Sequence, residues 1–224
     1  MATYPVYLEV GRRRVFAGAL DWPGWCRSGR DEGAALQALL ASGPRYATVI
    51  GRATGFTAPS GVSALQVVER LEGTSTTDFG APGVAPTRDR RPLDDAEAER
   101  LGALLRACWA TFDRAAEAAV GRSLRKGPRG GGRELDAIVR HVLEAEKVYL
   151  ARLGAKPRQP GDAGRGAEMG RIRAAFLDGV SAHARGERPA RSPRSGEPWT
   201  PRYAVRRSAW HALDHAWEIE DRRT

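Results

Sequence analysis

The hydrophobic pattern in the first part of the chain alternates with the period of a β-strand. Residues Tyr4 to Val10 alternate and are rich in β-forming side chains, and Arg14 to Leu20 continue the pattern after a glycine turn. This spacing predicts an opening hairpin. A short strand is expected at Trp25 to Ser28, and a further strand at Leu65 to Leu71, where β-branched residues return.

One helix is expected among these strands. It should begin near Asp31 and Glu32, whose negative charges suit the positive end of a helix. The Gly43-Pro44 pair is expected to interrupt or end it. The pattern therefore predicts that residues 1–72 form a small domain with both α and β structure.

The pattern loses its periodicity between Gly73 and Pro92. This stretch is dominated by Gly, Pro, Thr and Asp, which is typical of a connecting segment. We therefore expect residues 73–92 to be a linker and the domain boundary to fall there.

Beyond the linker, apolar residues recur at helical spacing. Asp94 can cap a first helix, Leu135 to Leu153 trace a second, Met169 to His183 a third, and Thr200-Pro201 supplies the cap and first position of a fourth. Stretches rich in Gly or Pro separate these helices, beginning with Gly127 to Gly132. Four amphipathic helices of this length are typical of a bundle.

The predicted fold class is thus α+β with two domains, a small mixed domain at 1–72 and an all-α four-helix bundle at 93–224. A length of 224 residues suits two small domains. No run of about 18 uncharged apolar residues is present, and the N-terminal segment lacks a secretion signal, so no membrane association and a cytoplasmic location are expected. Cys26 and Cys108 are expected to be reduced, packed thiols.

The formal net charge of +9 raises the question of nucleic-acid binding. Residues 1–90 hold ten basic and eight acidic side chains, and residues 91–224 hold 26 and 19, so both halves mix the two signs. There is no long basic run. The charge pattern therefore does not favour a nucleic-acid partner.

The histidines carry the candidate chemistry. The chain has four, and three of them, His141, His211 and His215, lie on predicted helices at positions that a bundle turns inward. His211 and His215 are four residues apart, which places their Cβ atoms about 5 to 6 Å apart on one helix face. His141 can add a third ligand from a second helix. Three protein ligands and one open position are typical of a catalytic metal site.

These histidines and several nearby residues also suit purely structural roles. An HxxxH pair also occurs on solvated faces, and a histidine on a half-apolar face is often a hydrogen-bonded core residue. His183 suits a helix end, where its charge would face the negative dipole. Trp210 and Trp217 are expected to pack a helix face. Candidates for hydrogen bonding to ligands or for proton transfer are Asp214, Glu144 and Glu218, although each also suits a solvated helix charge.

The segments Leu135–Glu146 and Ala209–Glu218 resemble the DinB superfamily over roughly residues 93–224. This resemblance implies a four-helix bundle that binds one divalent metal ion through His141, His211 and His215. It also implies an activity seen in some members, in which the metal activates a low-molecular-weight thiol such as mycothiol or bacillithiol. The ligands suit zinc, nickel and iron alike.

The segment Phe16–Leu36 is similar to the HicB antitoxin core, in which strands, an acidic Pro-Gly turn and a helix form a truncated RNase H-like fold. The chain lacks the DNA-binding tail of such antitoxins. Nor do its lone Asp21 and Asp31 form the carboxylate cluster that two-metal nuclease chemistry needs.

Two functions follow as hypotheses. The first is a metal-dependent thiol transferase or isomerase acting on a small thiol or electrophile, with catalytic residues unassigned. The alternative is a non-catalytic interaction module whose HicB-like domain binds a protein or nucleic-acid partner. Formation of a homodimer is compatible with either hypothesis.

Overall fold

The computed structural model describes residues 2–51, 55–126, 132–157, 164–187 and 197–224, and these residues form a mixed α+β protein. They group into two compact units, Met1–Arg91 and Pro92–Thr224. The expected α+β class is confirmed. Most of the break expected at Gly127–Gly132 and much of the two later interhelical loops lie outside the described residues.

The first unit is a four-stranded sheet with one long helix packed on it. Its strands are β1 (Tyr4–Val10), β2 (Val15–Ala19), β3 (Cys26–Gly29) and β4 (Leu65–Glu72), in the order β3-β2-β1-β4. The β1–β2 and β2–β3 pairs are antiparallel, and β1–β4 is parallel. The predicted hairpin is confirmed, with Val10 opposite Val15 beside the turn. The strand expected at Trp25–Ser28 is shifted by one residue.

The helix of this unit, α1 (Glu32–Ile50), begins as predicted but does not stop where expected. The carboxylate of Asp31 caps it by accepting from the Ala34 amide. The prediction that Gly43-Pro44 interrupts or ends the helix is wrong, because Pro44 lies inside it. Tertiary contacts hold the helix on both sides of Pro44: the Trp25 indole donates to the Leu39 carbonyl, and the Tyr46 hydroxyl to the Pro23 carbonyl.

The segment 73–92, expected to be a linker, contains a short helix, α2 (Ser75–Phe79). A buried carboxylate in β1 organises this segment. Glu9 is 0% exposed, and it accepts hydrogen bonds from the Thr77 hydroxyl and from the amides of Gly83 and Val84. These bonds satisfy a charge that burial would otherwise penalise, so the segment is ordered against the sheet despite its composition.

The described residues of the second unit form four helices, α3 (Asp95–Ala118), α4 (Leu135–Arg152), α5 (Arg165–Ala184) and α6 (Pro201–Arg222). Both predicted N-caps are confirmed, since Asp94 accepts from the Glu97 amide and Thr200 from the Tyr203 amide. Each of α3 and α4 packs against both α5 and α6, so the helices follow the cyclic order α3-α6-α4-α5.

Side-chain contacts give the helix directions. Arg202 near the start of α6 pairs with Glu97 near the start of α3, so these helices run parallel. Arg165 and Asp136 pair at the starts of α5 and α4, which are also parallel. In contrast, His141 near the start of α4 lies beside the second half of α6, so these two helices are antiparallel.

A largely buried arginine links three of the helices. The Arg173 guanidinium in α5 donates to Asp113 in α3 at 2.7 Å and to Glu146 in α4 at 3.0 Å, and it stacks over Trp109. Burial raises the pKa of the Glu146 carboxyl to about 7, against the opposing effect of Arg173. This cluster fixes α4 relative to its neighbours.

Candidate metal centre

The three histidines singled out in the sequence converge where α4 faces α6. His211 and His215 lie one turn apart on the buried face of α6, which also includes Ala204, Ser208 and Ile219. His141 comes from the first half of α4 and is half-buried. The antiparallel packing of the two helices therefore brings together residues 70 positions apart in the sequence.

The imidazoles form a compact triangle. The ring centroid of His141 lies 5.0 Å from the centroid of His211 and 5.0 Å from that of His215. The centroids of His211 and His215 are 4.6 Å apart. One ring nitrogen from each residue lies within 4.8 Å of those of the other two. Within the described parts of the chain, no other group of three His, Cys, Asp or Glu side chains converges in this way.

One nitrogen–nitrogen distance tests directly whether an ion fits. Two nitrogens bound to one zinc at 2.0–2.1 Å with a tetrahedral angle lie about 3.3 Å apart. The Nε2 atoms of His141 and His211 are 3.2 Å apart. A hydrogen bond between two imidazoles would give the same distance, but it would not account for the approach of the third ring. The three histidines lie close enough to hold one metal ion.

A carboxylate orients the third imidazole. The Nδ1 atom of His215 lies 2.8 Å from Glu218 Oε2, and Arg222 Nη1 lies 2.6 Å from Glu218 Oε1. Burial raises the pKa of Glu218, but the bonds from His215 and Arg222 outweigh it and hold that pKa below its ordinary value. An ionised Glu218 accepts a hydrogen bond from the Nδ1–H of His215, which leaves the Nε2 lone pair of His215 available to a metal.

The electrostatics of the site keep two of the imidazoles neutral. Burial and the neighbouring positive groups lower the pKa of His141 and, more strongly, that of His211. After burial, His215, Arg133 and Arg207 lower both pKa values, His141 also lowers that of His211, and Glu218 opposes the shift at His141. A neutral imidazole is the form that binds metal, so the site loses little free energy to proton competition at these two ligands.

Aromatic and cationic side chains lie on one side of the triangle. The Tyr149 ring of α4 is 5.7 Å from the His211 ring, and the Arg207 guanidinium lies 5.5 Å from the Tyr149 centroid and 4.5 Å from that of Trp210. Trp199 packs against Tyr149 at 5.2 Å. The sequence did not single out Tyr149 or Arg207 as site residues, because their proximity depends on the approach of α4 to α6.

The remaining candidates lie elsewhere. His183 is in the last turn of α5 and donates through Nδ1 to the Gly179 carbonyl at 2.8 Å, as a helix-end histidine does. Glu144 is exposed and pairs with Lys147. Asp214 is half-buried on α6 but is not part of the converging set. Glu218, the third acidic candidate, contacts His215.

The two cysteines are both buried free thiols, as predicted. Cys108 is 0% exposed in the α3 core, where burial raises the pKa of its thiol far above the ordinary range. It is therefore not a nucleophile at neutral pH. In the first unit, Asp31 serves as a helix cap and Asp21 pairs with Arg88 at 2.8 Å, so neither carboxylate belongs to a cluster.

Among the helices that the structure describes, none combines the length and apolarity needed to cross a membrane. Comparisons of this chain with protein-family models, with curated proteins and with solved structures find no match.

Proposed function

We propose that this protein binds one divalent metal ion through His141, His211 and His215 and uses it to activate a small thiol or electrophile. The observation that carries the proposal is the convergence of three imidazoles from two helices, two of them nearly fully buried. Buried imidazole nitrogens need polar partners, and one metal ion would serve as a partner for all three rings.

The donor set defines the class of site. Three neutral nitrogens leave at least one coordination position for a ligand, which distinguishes a reactive site from a closed structural one. A bound divalent ion supplies Lewis acidity and lowers the pKa of the group that coordinates it. Zinc, nickel and iron all accept imidazole, so the donor set is compatible with each of them.

The surrounding residues have separate roles in this proposal. Glu218 accepts a hydrogen bond from the Nδ1–H of His215 and so fixes the tautomer of that imidazole. Tyr149 and Trp210 are buried beside His211 and exclude water from that side. His141, the half-buried member, lies where a ligand can approach.

The resemblance to the DinB superfamily supports the thiol part of the proposal, because that resemblance rests on the same three histidines. The proposal assigns the HicB-like first unit a scaffold role. In this unit Asp31 caps a helix and Asp21 forms an ion pair with Arg88. Within the described residues, the unit has no converging group of potential metal ligands.

The test is a rate measurement on protein loaded separately with zinc, nickel or iron. Consumption of several low-molecular-weight thiols in the presence of a chromogenic electrophile is compared between the wild type and His211→Ala. We expect a metal-dependent rate with at least one thiol that the variant loses. A protein that binds metal stoichiometrically but leaves every thiol at its solution rate would contradict the transferase proposal while leaving the metal site intact.

A further inference from the structure

One turn of α6 contains buried polar atoms that lack partners. Arg207 Nη1 and Ser208 Oγ are both inaccessible to solvent, and neither has a hydrogen-bond partner among the described residues. This turn directly precedes His211, and Arg207 lies four residues before it on the same helix. A buried guanidinium N–H without an acceptor costs free energy, so an acceptor is expected to reach it when the site is in use.

Within the described residues, the guanidinium is held in place by stacking and not by an ion pair. It lies over the Tyr149 and Trp210 rings, and these contacts fix the plane of the group without using its N–H donors. Tyr149 also contacts the His211 ring, so one side chain borders both Arg207 and the histidine triangle. The Nη1 donor is therefore left without an acceptor in the part of the chain that the structure describes, on the side of Tyr149 that also contacts His211.

The charge balance indicates the sign of that ligand. A divalent ion on three neutral imidazoles leaves two positive charges, and Arg207 and Arg133 add positive charge near His141 and His211, opposed at His141 by Glu218. Glu218, the carboxylate bonded to the cluster, is engaged by His215 and Arg222. An anionic ligand is thus favoured over a neutral one.

We infer that Arg207 binds the carboxylate of a small ligand whose other end faces the three histidines. A carboxylate matches the planar fork of the guanidinium, which can donate two parallel hydrogen bonds. The substrate class is then a thiol or electrophile that carries a carboxylate within a few bonds of its reactive group. The metal-facing end of this ligand rests on the proposed function, whereas the carboxylate end does not.

Two thiols of equal length test this inference on cobalt-loaded wild-type protein. 3-Mercaptopropionate carries a carboxylate and 3-mercaptopropionamide does not, and the thiolate-to-cobalt absorption reports the binding of both. We expect the carboxylate to bind at least about tenfold more tightly, as a charge-assisted hydrogen bond contributes. Equal affinities would overturn the inference without any substitution in the protein.

Substitutions then locate the effect. In Arg207→Gln, affinity for the carboxylate is expected to fall about 10- to 100-fold while affinity for the amide is unchanged. Arg207→Lys keeps the charge but not the fork, so its loss should be intermediate. Arg140→Gln removes an equal charge from an exposed position next to His141 and should behave as wild type. An equal loss for both thiols in Arg207→Gln would instead assign Arg207 a packing role.

A metal-free measurement separates this inference from the proposed function. Propionate is titrated into metal-free wild type and into Arg207→Gln, with tryptophan fluorescence as the readout because Arg207 stacks on Trp210. Quenching by propionate but not by propionamide, absent from the variant, supports the carboxylate site even if cobalt fails to bind. If cobalt binds but propionate quenches neither protein and the two thiols bind alike, the metal proposal stands and the inference is overturned.

Discussion

Replacing Glu218 with Gln tests how the protein prepares His215 for metal binding. Both oxygens of Glu218 are used, Oε2 by His215 at 2.8 Å and Oε1 by Arg222 at 2.6 Å. Gln has one acceptor oxygen, so its NH2 group must face one of these two donors. The variant therefore loses the negative charge and sets two donors against each other in a half-buried position.

The expected cost is a loss in metal affinity. Removing the carboxylate behind a metal-binding histidine weakens affinity about 10- to 100-fold, which corresponds to about 1.4 to 2.8 kcal/mol. The loss of one interaction and the creation of a donor–donor contact place Glu218→Gln toward the upper end of that range. The assay is competition for zinc against a chromophoric chelator at neutral pH.

Glu220→Gln is the matched control, because it removes the same charge from an exposed position on the same helix. Its zinc affinity should equal that of the wild type. If Glu218→Gln and Glu220→Gln bind zinc equally well, Glu218 does not prepare the site and the reasoning from its geometry is refuted. The comparison rests on affinity and not on melting temperature, because loss of the Arg222 contact also affects stability in the metal-free state.

Three further predictions concern the burial of side chains, two in the bundle and one in both units. The pKa of the Glu146 carboxyl is about 7 in the folded protein against an ordinary 4.5, so the free energy of unfolding is highest below about pH 4.5 and falls as pH rises through 7. In chemical denaturation between pH 5 and 8, the wild type should lose up to about 3 kcal/mol relative to Glu146→Gln. Parallel pH curves for the two proteins would contradict this. Phe112 is 1% exposed, and Phe112→Ala should lower the free energy of unfolding by about 3 to 5 kcal/mol. Val120 is 71% exposed, and Val120→Ala should change that free energy by less than about 0.5 kcal/mol. Equal effects of the two substitutions would show that the α3 core is packed differently. Cys26 and Cys108 are buried and should resist a thiol reagent until the protein is unfolded, so fast reaction of the native protein would place at least one thiol at the surface.

The histidine triangle could be predicted because local spacing carries most of its information. The pair His211 and His215 follows from helical periodicity, and His141 follows from an apolar stripe that must face the bundle core. The N-caps Asp94 and Thr200 were equally local and equally well predicted. Such features depend on residues within a few positions of one another.

The features that were missed depend on partners far away in the sequence. Pro44 should end a helix, but Trp25 and Tyr46 bind the chain on either side of it. Residues 73–92 have the composition of a linker, but the buried Glu9 accepts from their backbone. In the sequence Arg207 is an ordinary polar helix residue, and only the packing of α4 against α6 places its guanidinium over the Tyr149 ring. Each case is a tertiary contact that composition and periodicity do not encode.

The most direct test of the central claim is a zinc titration of metal-free full-length protein and its four single histidine variants. We predict one zinc per wild-type chain and a loss of affinity of at least about 100-fold, or about 2.7 kcal/mol, in His141→Ala, His211→Ala and His215→Ala. His183→Ala, the fourth histidine of the chain, should bind zinc as the wild type does, because it donates to a helix carbonyl away from the cluster. A wild type that takes up no zinc, or a His183 variant that loses as much affinity as the other three, would contradict the proposed site.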